Sequence, residues 1–488
     1  MKSILSALAL LSIAAVIPAT AQSVETSVIR INSTIQTWNN SQPWDKSAPG
    51  KRRALGALLS GNRVLTTAEM AANVTYIELE SADSTRTIPA KVVAIDYETN
   101  LALLAPDNGD TEGFFKGLQP LTLGDPAKIG DKVDVWQLED NGMSLVTHAT
   151  IQSVDVLSSF AAGHFFLTYK AKGSMQSASS SFTLPVVRNG KLLGLLSSYN
   201  AKDQIIDVMA PEIISAFLAD TKDGTFTGVP SLGIGVSSTV DPSFRKWLKL
   251  PDDVGGLYIT RIRKDSAADQ AGLKKGDVMV SIGEHQIGRR GYYSHPSYGR
   301  IFWSHLVRGN HKVGDKITLT VLREGKEKNI TATLARSGKR LVPQYTFDQA
   351  PNYLVKGGFI FQELSATYLS AFGKDWQSTA PLNLLDVLSS PEDYQEGRNK
   401  LVFLSATIPT PATTGYERIN NLIISKINGQ PIADISTLIK AFQQPSADGL
   451  HTIEFLNGQP KTIYLDAAAA DTIDAQLLKR GIPALSRE

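Results

Sequence analysis

The sequence predicts a multidomain chain whose all-β first part is followed by two smaller α+β modules. Three observations carry that expectation. At 488 residues the chain exceeds the roughly 100–200 residues of a single domain, so two to four domains are expected. From Thr26 to about Leu218, short apolar runs alternate with turn residues, the pattern of two small barrels or sandwiches. Beyond that point strand-like and helix-like stretches follow one another twice in a similar order, so the last unit reads as a diverged copy of the one before it.

Taken in order, residues 1–21 hold a short positive start at Lys2, an apolar run over 4–17 and the small-residue end Ala19-Thr20-Ala21. This is the make-up of a secretory signal peptide. The run is shorter than the ~20 residues needed to span a bilayer, so an exported chain, periplasmic or secreted, is expected to begin at Gln22. Residues 22–220 form the all-β domain, with strands at 64–66, 75–79, 91–95 and 101–104. The polar, turn-rich stretch 219–231 reads as a linker.

The second unit, 221–340, places strands at 256–261, 277–282 and 316–322 around a short helix at 266–271, which Gly272 stops. The third, 341–470, repeats the pattern with strands at 422–427, 451–456 and 461–465 and a helix at 435–442. It also carries a polar insertion, 375–396, with one helical stretch at 382–388. Residues 471–488 are left as a terminal helix and tail.

Composition narrows the function classes. Forty-nine basic residues against 47 acidic ones leave no electrostatic footprint for nucleic acid or an acidic membrane. The chain has no cysteine, which excludes disulfides, thiolate metal sites and a cysteine nucleophile. Its seven histidines show neither H-E-x-x-H nor any other ligand-like spacing, so no metal and no cofactor are expected.

Three stretches of the all-β part carry a resemblance. Leu65-Thr66-Thr67-Ala68-Glu69-Met70-Ala71 stands against L-T-N-A-H-V-V. The stretch 96–104, from Asp96 through Asn100 to Leu104, stands against D-x-x-x-D-L-A-L-L. The stretch 179–194 stands against G-N-S-G-G-P-V-V followed by a G-K-V-V-G hairpin. The domain thus resembles the trypsin-fold HtrA/Deg serine proteases, which implies a double β-barrel whose catalytic histidine comes from the first barrel.

By that resemblance the triad positions fall on Glu69, Asn100 and Phe182, and a one-residue gap would bring Ser181 to the nucleophile position instead. Thr183 and Leu184 stand for two glycines of the oxyanion hole, whose backbone must turn its N–H groups toward the developing charge. No histidine lies between Gln22 and Thr147, and His148 and His164 are the domain's only two. A serine nucleophile needs a base, and the base an orienting carboxylate. The resemblance therefore implies a pseudoprotease with no catalytic residues, and the chain is expected not to be an enzyme.

The second unit opens with Leu232-Gly233-Ile234-Gly235-Val236, and its stretch 266–279 matches S-P-A-x-x-A-G-L-K-x-G-D-V-I. It resembles a PDZ domain of the HtrA type. This implies that Leu232, Gly233, Ile234, Gly235 and Val236 receive a peptide end, with the ligand adding as a strand along 234–238. Pro43-Trp44, the stretch 302–307, Val342-Pro343 and the stretches 351–361 and 423–432 extend the resemblance to the plant-type Deg proteases, which carry a second, diverged PDZ.

Such proteins assemble as trimers or larger cages, with Trp38 and Trp44 as candidate contact residues. The function expected from the whole is an exported HtrA/Deg-like pseudoprotease in protein quality control. It would bind peptides or unfolded protein segments without hydrolysis, as a trimer-based homo-oligomer, with no membrane contact after signal cleavage. The alternatives are an active serine endopeptidase with a non-standard site and a structural assembly subunit.

Overall fold

The period-2 alternation of the first part closes, in a computed structural model, into two six-stranded β-barrels. The structure describes residues 22–158, 165–176, 183–222, 227–309, 311–456 and 458–488; the signal-peptide reading, on 1–21, lies outside them. In the first barrel the ring runs Val28–Ile35, Gly50–Leu59, Arg63–Thr66, Leu101–Pro106, Thr87–Asp96 and Val74–Glu80, each strand antiparallel to the next. Ile29, Ile31, Leu58, Leu79 and Ile88 fill its interior. A Cβ at Gly56 would lie 2.5 Å from Val64 and 2.9 Å from Ile31, so any larger residue there would force the strands apart.

The second barrel runs Pro185–Arg188, Lys191–Asn200, Ile205–Met209, Phe165–Lys172, Ser144–Ser158 and Lys132–Leu138. Helix Pro211–Asp220 follows it and buries Ile213, Ile214 and Phe217. The predicted linker is in part a strand, because Pro230–Ser231 pairs with Ala335–Arg336 and ties the two ends of the next module together.

That module is a sheet in the order Ile234–Ser238, Leu257–Ile262, Val278–Ile282, Lys316–Arg323 and Lys326–Thr333. Its short helix, Ala267–Gln270, starts at Ser266, whose Oγ accepts the N–H of Asp269 at 3.3 Å. Gly272 ends it at φ +79°. Tyr298, between two strands of this module, donates to Glu212 at 2.7 Å, and its hydroxyl lies 3.1 Å from that of Tyr169. The module is thereby docked on the second barrel, and one continuous apolar core runs through both.

The last module is a mixed-length sheet ordered Thr462–Asp466, Leu450–Phe455, Leu422–Ile427, Val402–Thr407, Phe359–Glu363, Tyr353–Lys356 and Ser486–Arg487. The terminal helix, Ala467–Lys479, starts four residues before the predicted position, capped by Asp466. The module folds back on the first barrel. Asn73 and Asp348 exchange backbone and side-chain hydrogen bonds of 2.6 and 2.9 Å. Arg487 lies 4.3 Å above the Trp38 ring and 5.2 Å from that of Tyr353, and Trp44 meets Tyr353 at 6.0 Å. Trp38 and Trp44, expected at a trimer contact, thus have partners within the chain.

Candidate functional site

Two tight turns of the first barrel carry the matched positions Glu69 and Asn100. Strand Arg63–Thr66 leads through Thr67 into the single helical turn Ala68–Ala71, which carries Glu69. The second turn joins Thr87–Asp96 to Leu101–Pro106. There the Asp96 carboxylate accepts the N–H of Glu98 at 3.0 Å and the hydroxyl of Thr99 at 2.7 Å, a side chain closing its own loop. Asn100 follows at φ +60°, a left-handed conformation that asparagine tolerates better than most residues.

That backbone aims the Asn100 side chain at the first turn. Its Oδ1 accepts the backbone N–H of Glu69 at 2.9 Å, and Arg52 donates to the Glu69 carbonyl at 2.6 Å. Burial pushes the Glu69 carboxyl above the usual carboxylate range, and the charge of Arg52 only partly opposes this. From the second barrel Thr183 meets Thr67, hydroxyl to hydroxyl, at 2.8 Å. This buried contact bridges the two barrels.

The structure therefore brings Glu69 and Asn100 together and sets Thr183 across from them. Phe182 and Ser181 lie outside the described residues, as does His164. His148 is exposed on the second barrel, 2.6 Å from Asp134. The cross-barrel bond of Thr67 and the Arg52 contact were missed by sequence reasoning. Thr67 lies inside the matched stretch, but nothing local marks its partner 116 residues away.

The second site is the open edge of the first α+β module. Gly233 sits at φ +76°, where an added Cβ would fall 2.4 Å from that of Ser266, so only glycine fits. The turn is held on both sides: Leu232 and Gly233 carbonyls accept the N–H groups of Ala268 at 3.0 Å and Arg263 at 2.9 Å. Strand Ile234–Ser238 leaves the turn half-buried to exposed. Among the described residues it pairs only with Leu257–Ile262. In the last module the corresponding strand, Phe359–Glu363, is flanked on both edges, by Tyr353–Lys356 and Val402–Thr407.

PDZ-domain family models match residues 230–334 and 342–484. Over 427 residues the chain is 26% identical to "Putative protease Do-like 3, mitochondrial" of Arabidopsis thaliana, covering 87% of this chain and 72% of that protein. The chain is an HtrA/Deg-type, trypsin-like protease homologue with two PDZ domains. This HtrA/Deg chain is also 27% identical over 390 residues to "Protease Do-like 2, chloroplastic" of the same plant, covering 78% of it and 62% of the relative. Among solved structures, "HtrA-type protease AlgW with decapeptide" matches 64% of it and 97% of that chain at a TM-score of 0.48 and 21% identity.

These relatives correct one expectation. The chain was expected not to be an enzyme, yet the relatives that span most of it are named proteases. The physical reason for the error is that the prediction equated loss of a Ser–His–Asp set with loss of chemistry. Glu69 is itself a titratable, largely buried group, and replacement of the expected residue types does not amount to absence of activity.

Proposed function

We propose that this HtrA/Deg chain captures exposed peptide ends or unfolded segments with its first PDZ domain, as an exported protein of quality control. The observation that carries the reading is the single-sided pairing of Ile234–Ser238 beside the Gly233 turn. An extended peptide adding there gains backbone hydrogen bonds, and its terminal carboxylate reaches the 232–236 turn. The second PDZ, whose corresponding strand is paired on both edges, serves the assembly and not capture.

The deciding experiment titrates the full mature chain with a C-terminal peptide library by fluorescence anisotropy. Saturable binding is expected, with Gly233→Ala weakening it at least about tenfold. Equal affinity in that variant, or no binding peptide, overturns the reading. The homo-oligomer belongs to the same proposal, and sizing of the mature chain at a trimer multiple is its expected outcome.

A second reading, cleavage of the captured segment, is favoured by the raised Glu69 carboxyl, which can take a proton nearer neutral pH than an ordinary glutamate. Casein hydrolysis that disappears in Glu69→Gln supports it, and hydrolysis unchanged in that variant removes Glu69 from the chemistry.

A further inference from the structure

Where the first PDZ, the 339–344 connector and the 388–395 insertion meet, the fold forms a half-open pocket of about 100 Å³. Arg261, Arg263, Lys339 and Arg340 line it, with Glu392 as the one acidic lining residue. Glu392 is already engaged, 3.6 Å from Arg261. Ile262, Leu341 and Leu388 supply apolar wall, which lowers the local dielectric and sharpens each charge interaction.

We propose that this cavity is an oxyanion site, taking a free phosphate-type ion held by Arg261, Arg263, Lys339 and Arg340. Arg263 Nη1 is buried with no hydrogen-bond partner, a costly state for a charged donor unless an acceptor fills the space beside it. Arg340 is depressed by burial and by repulsion from Arg263, Arg308 and Arg261, with Glu98 as the opposing attraction. Guanidinium groups offer forked donors matched to the oxygens of phosphate. Glu392 offsets Arg261, and Glu98 attracts Arg263 and Arg340, which still leaves a net excess of positive charge in the lining for an anion to neutralise.

The pocket has room for a small tetrahedral oxyanion. A phosphoryl group carried on a protein side chain presents the same oxygens, and the experiment separates the two sources. The site backs onto the capture strand, since Arg261 and Ile262 pair with Gly235 and Ile234 and Arg263 donates to the Gly233 carbonyl, so peptide affinity is measured beside phosphate affinity in each variant.

The test uses the full mature chain, with calorimetric titration of inorganic phosphate and thermal unfolding in phosphate against chloride at matched ionic strength. Saturable binding and a phosphate-specific rise in Tm are expected. Arg263→Met and Arg340→Met should each weaken phosphate at least about tenfold. Lys339→Ala alters an exposed residue, keeps the test open should an arginine variant misfold, and should weaken phosphate severalfold. A phosphoserine peptide binding more weakly than phosphate supports the free ion as ligand; tighter binding of the peptide overturns that assignment in favour of a phosphorylated chain. The site itself is overturned by an equal Tm rise in chloride, or by phosphate affinity unchanged in Lys339→Ala combined with Arg340→Met.

Discussion

Asn100 holds Glu69 through its backbone: the asparagine Oδ1 accepts the Glu69 N–H at 2.9 Å, and no ionisable group of Asn100 faces the carboxyl. The side chain that holds the Glu69 turn is therefore a neutral one. Glu69 feels burial first and Arg52 second, and burial wins.

The sign of that balance gives the first prediction. A carboxyl whose folded pKa lies above its unfolded value favours the folded state while protonated, and that contribution is lost as pH rises through the folded pKa. Glu69→Gln should therefore be more stable than the parent near pH 7, with the difference closing below about pH 4, near the unfolded pKa of a glutamate. Thermal unfolding from pH 4 to 8 reads this directly. A difference that does not change with pH refutes it.

A second titration lies in the first PDZ. His305 is buried, its Nδ1 2.5 Å from the Tyr293 hydroxyl, and burial pushes it down to about 4, with the charges of His295 and His285 adding in the same direction. His295, stacked on Tyr298 at 4.6 Å, is lowered by burial and His285 as well. A depressed histidine contributes stability above its unfolded pKa that is lost as pH falls toward the folded value. The parent should lose on the order of 2–3 kcal/mol between about pH 6.5 and 4 through this residue. His305→Gln keeps a polar partner for Tyr293 and should flatten that slope in chemical denaturation; an identical acid slope counts against the assignment.

The docking of the first PDZ on the second barrel yields a third. Tyr298 donates to Glu212 at 2.7 Å, while the Tyr169 hydroxyl, pushed up to about 12 by burial, accepts the N–H of Ala127 at 3.2 Å. Tyr298→Phe removes the donor and leaves Glu212 with weaker partners, at a cost of about 1–3 kcal/mol. Hydrogen exchange should rise on both sides of this contact, in Phe165–Lys172 and in the first PDZ. A rise confined to the PDZ would show that the contact does not couple the two.

These contacts mark the boundary of what the sequence carries. The barrels were legible because strands such as Ser144–Ser158 alternate buried and exposed positions along one face, which is a local signal. Strand Phe359–Glu363 is buried at Phe359, Ile360, Phe361 and Gln362 alike. With both faces covered there is no alternation to read, and the strand appeared only as part of a matched stretch. Glu69 and Asn100 were placed by motif spacing, and the structure joins them. Whether strand Ile234–Ser238 has an open edge depends on which chain segment lies beside it, and that is a property of the assembled sheet. The same holds for Thr67 and Thr183, and for the cations around Arg263, which come from segments far apart in the chain.

The last prediction concerns how the second PDZ is fastened. Arg487 stacks on Trp38 and Tyr353, donates to the Pro43 carbonyl at 3.0 Å, and sits in the terminal strand that pairs with Tyr353 and Leu354. Removing the guanidinium in Arg487→Ala takes away two ring contacts of about 0.5–1 kcal/mol each and one charged hydrogen bond. The Trp38 and Trp44 indoles should then meet water, shifting tryptophan emission to longer wavelength, and residues 36–50 should become the first site of limited proteolysis. Asp348→Ala removes the carboxylate that accepts the Asn73 N–H and the Tyr97 hydroxyl, and leaves the bond from the residue 348 N–H to Asn73. If both contacts hold one rigid interface, the second substitution adds less in a variant already released by the first. Full additivity would instead make them independent fasteners, and unchanged emission in Arg487→Ala would mean that the remaining contacts, Trp44 on Tyr353 among them, hold the interface without Arg487.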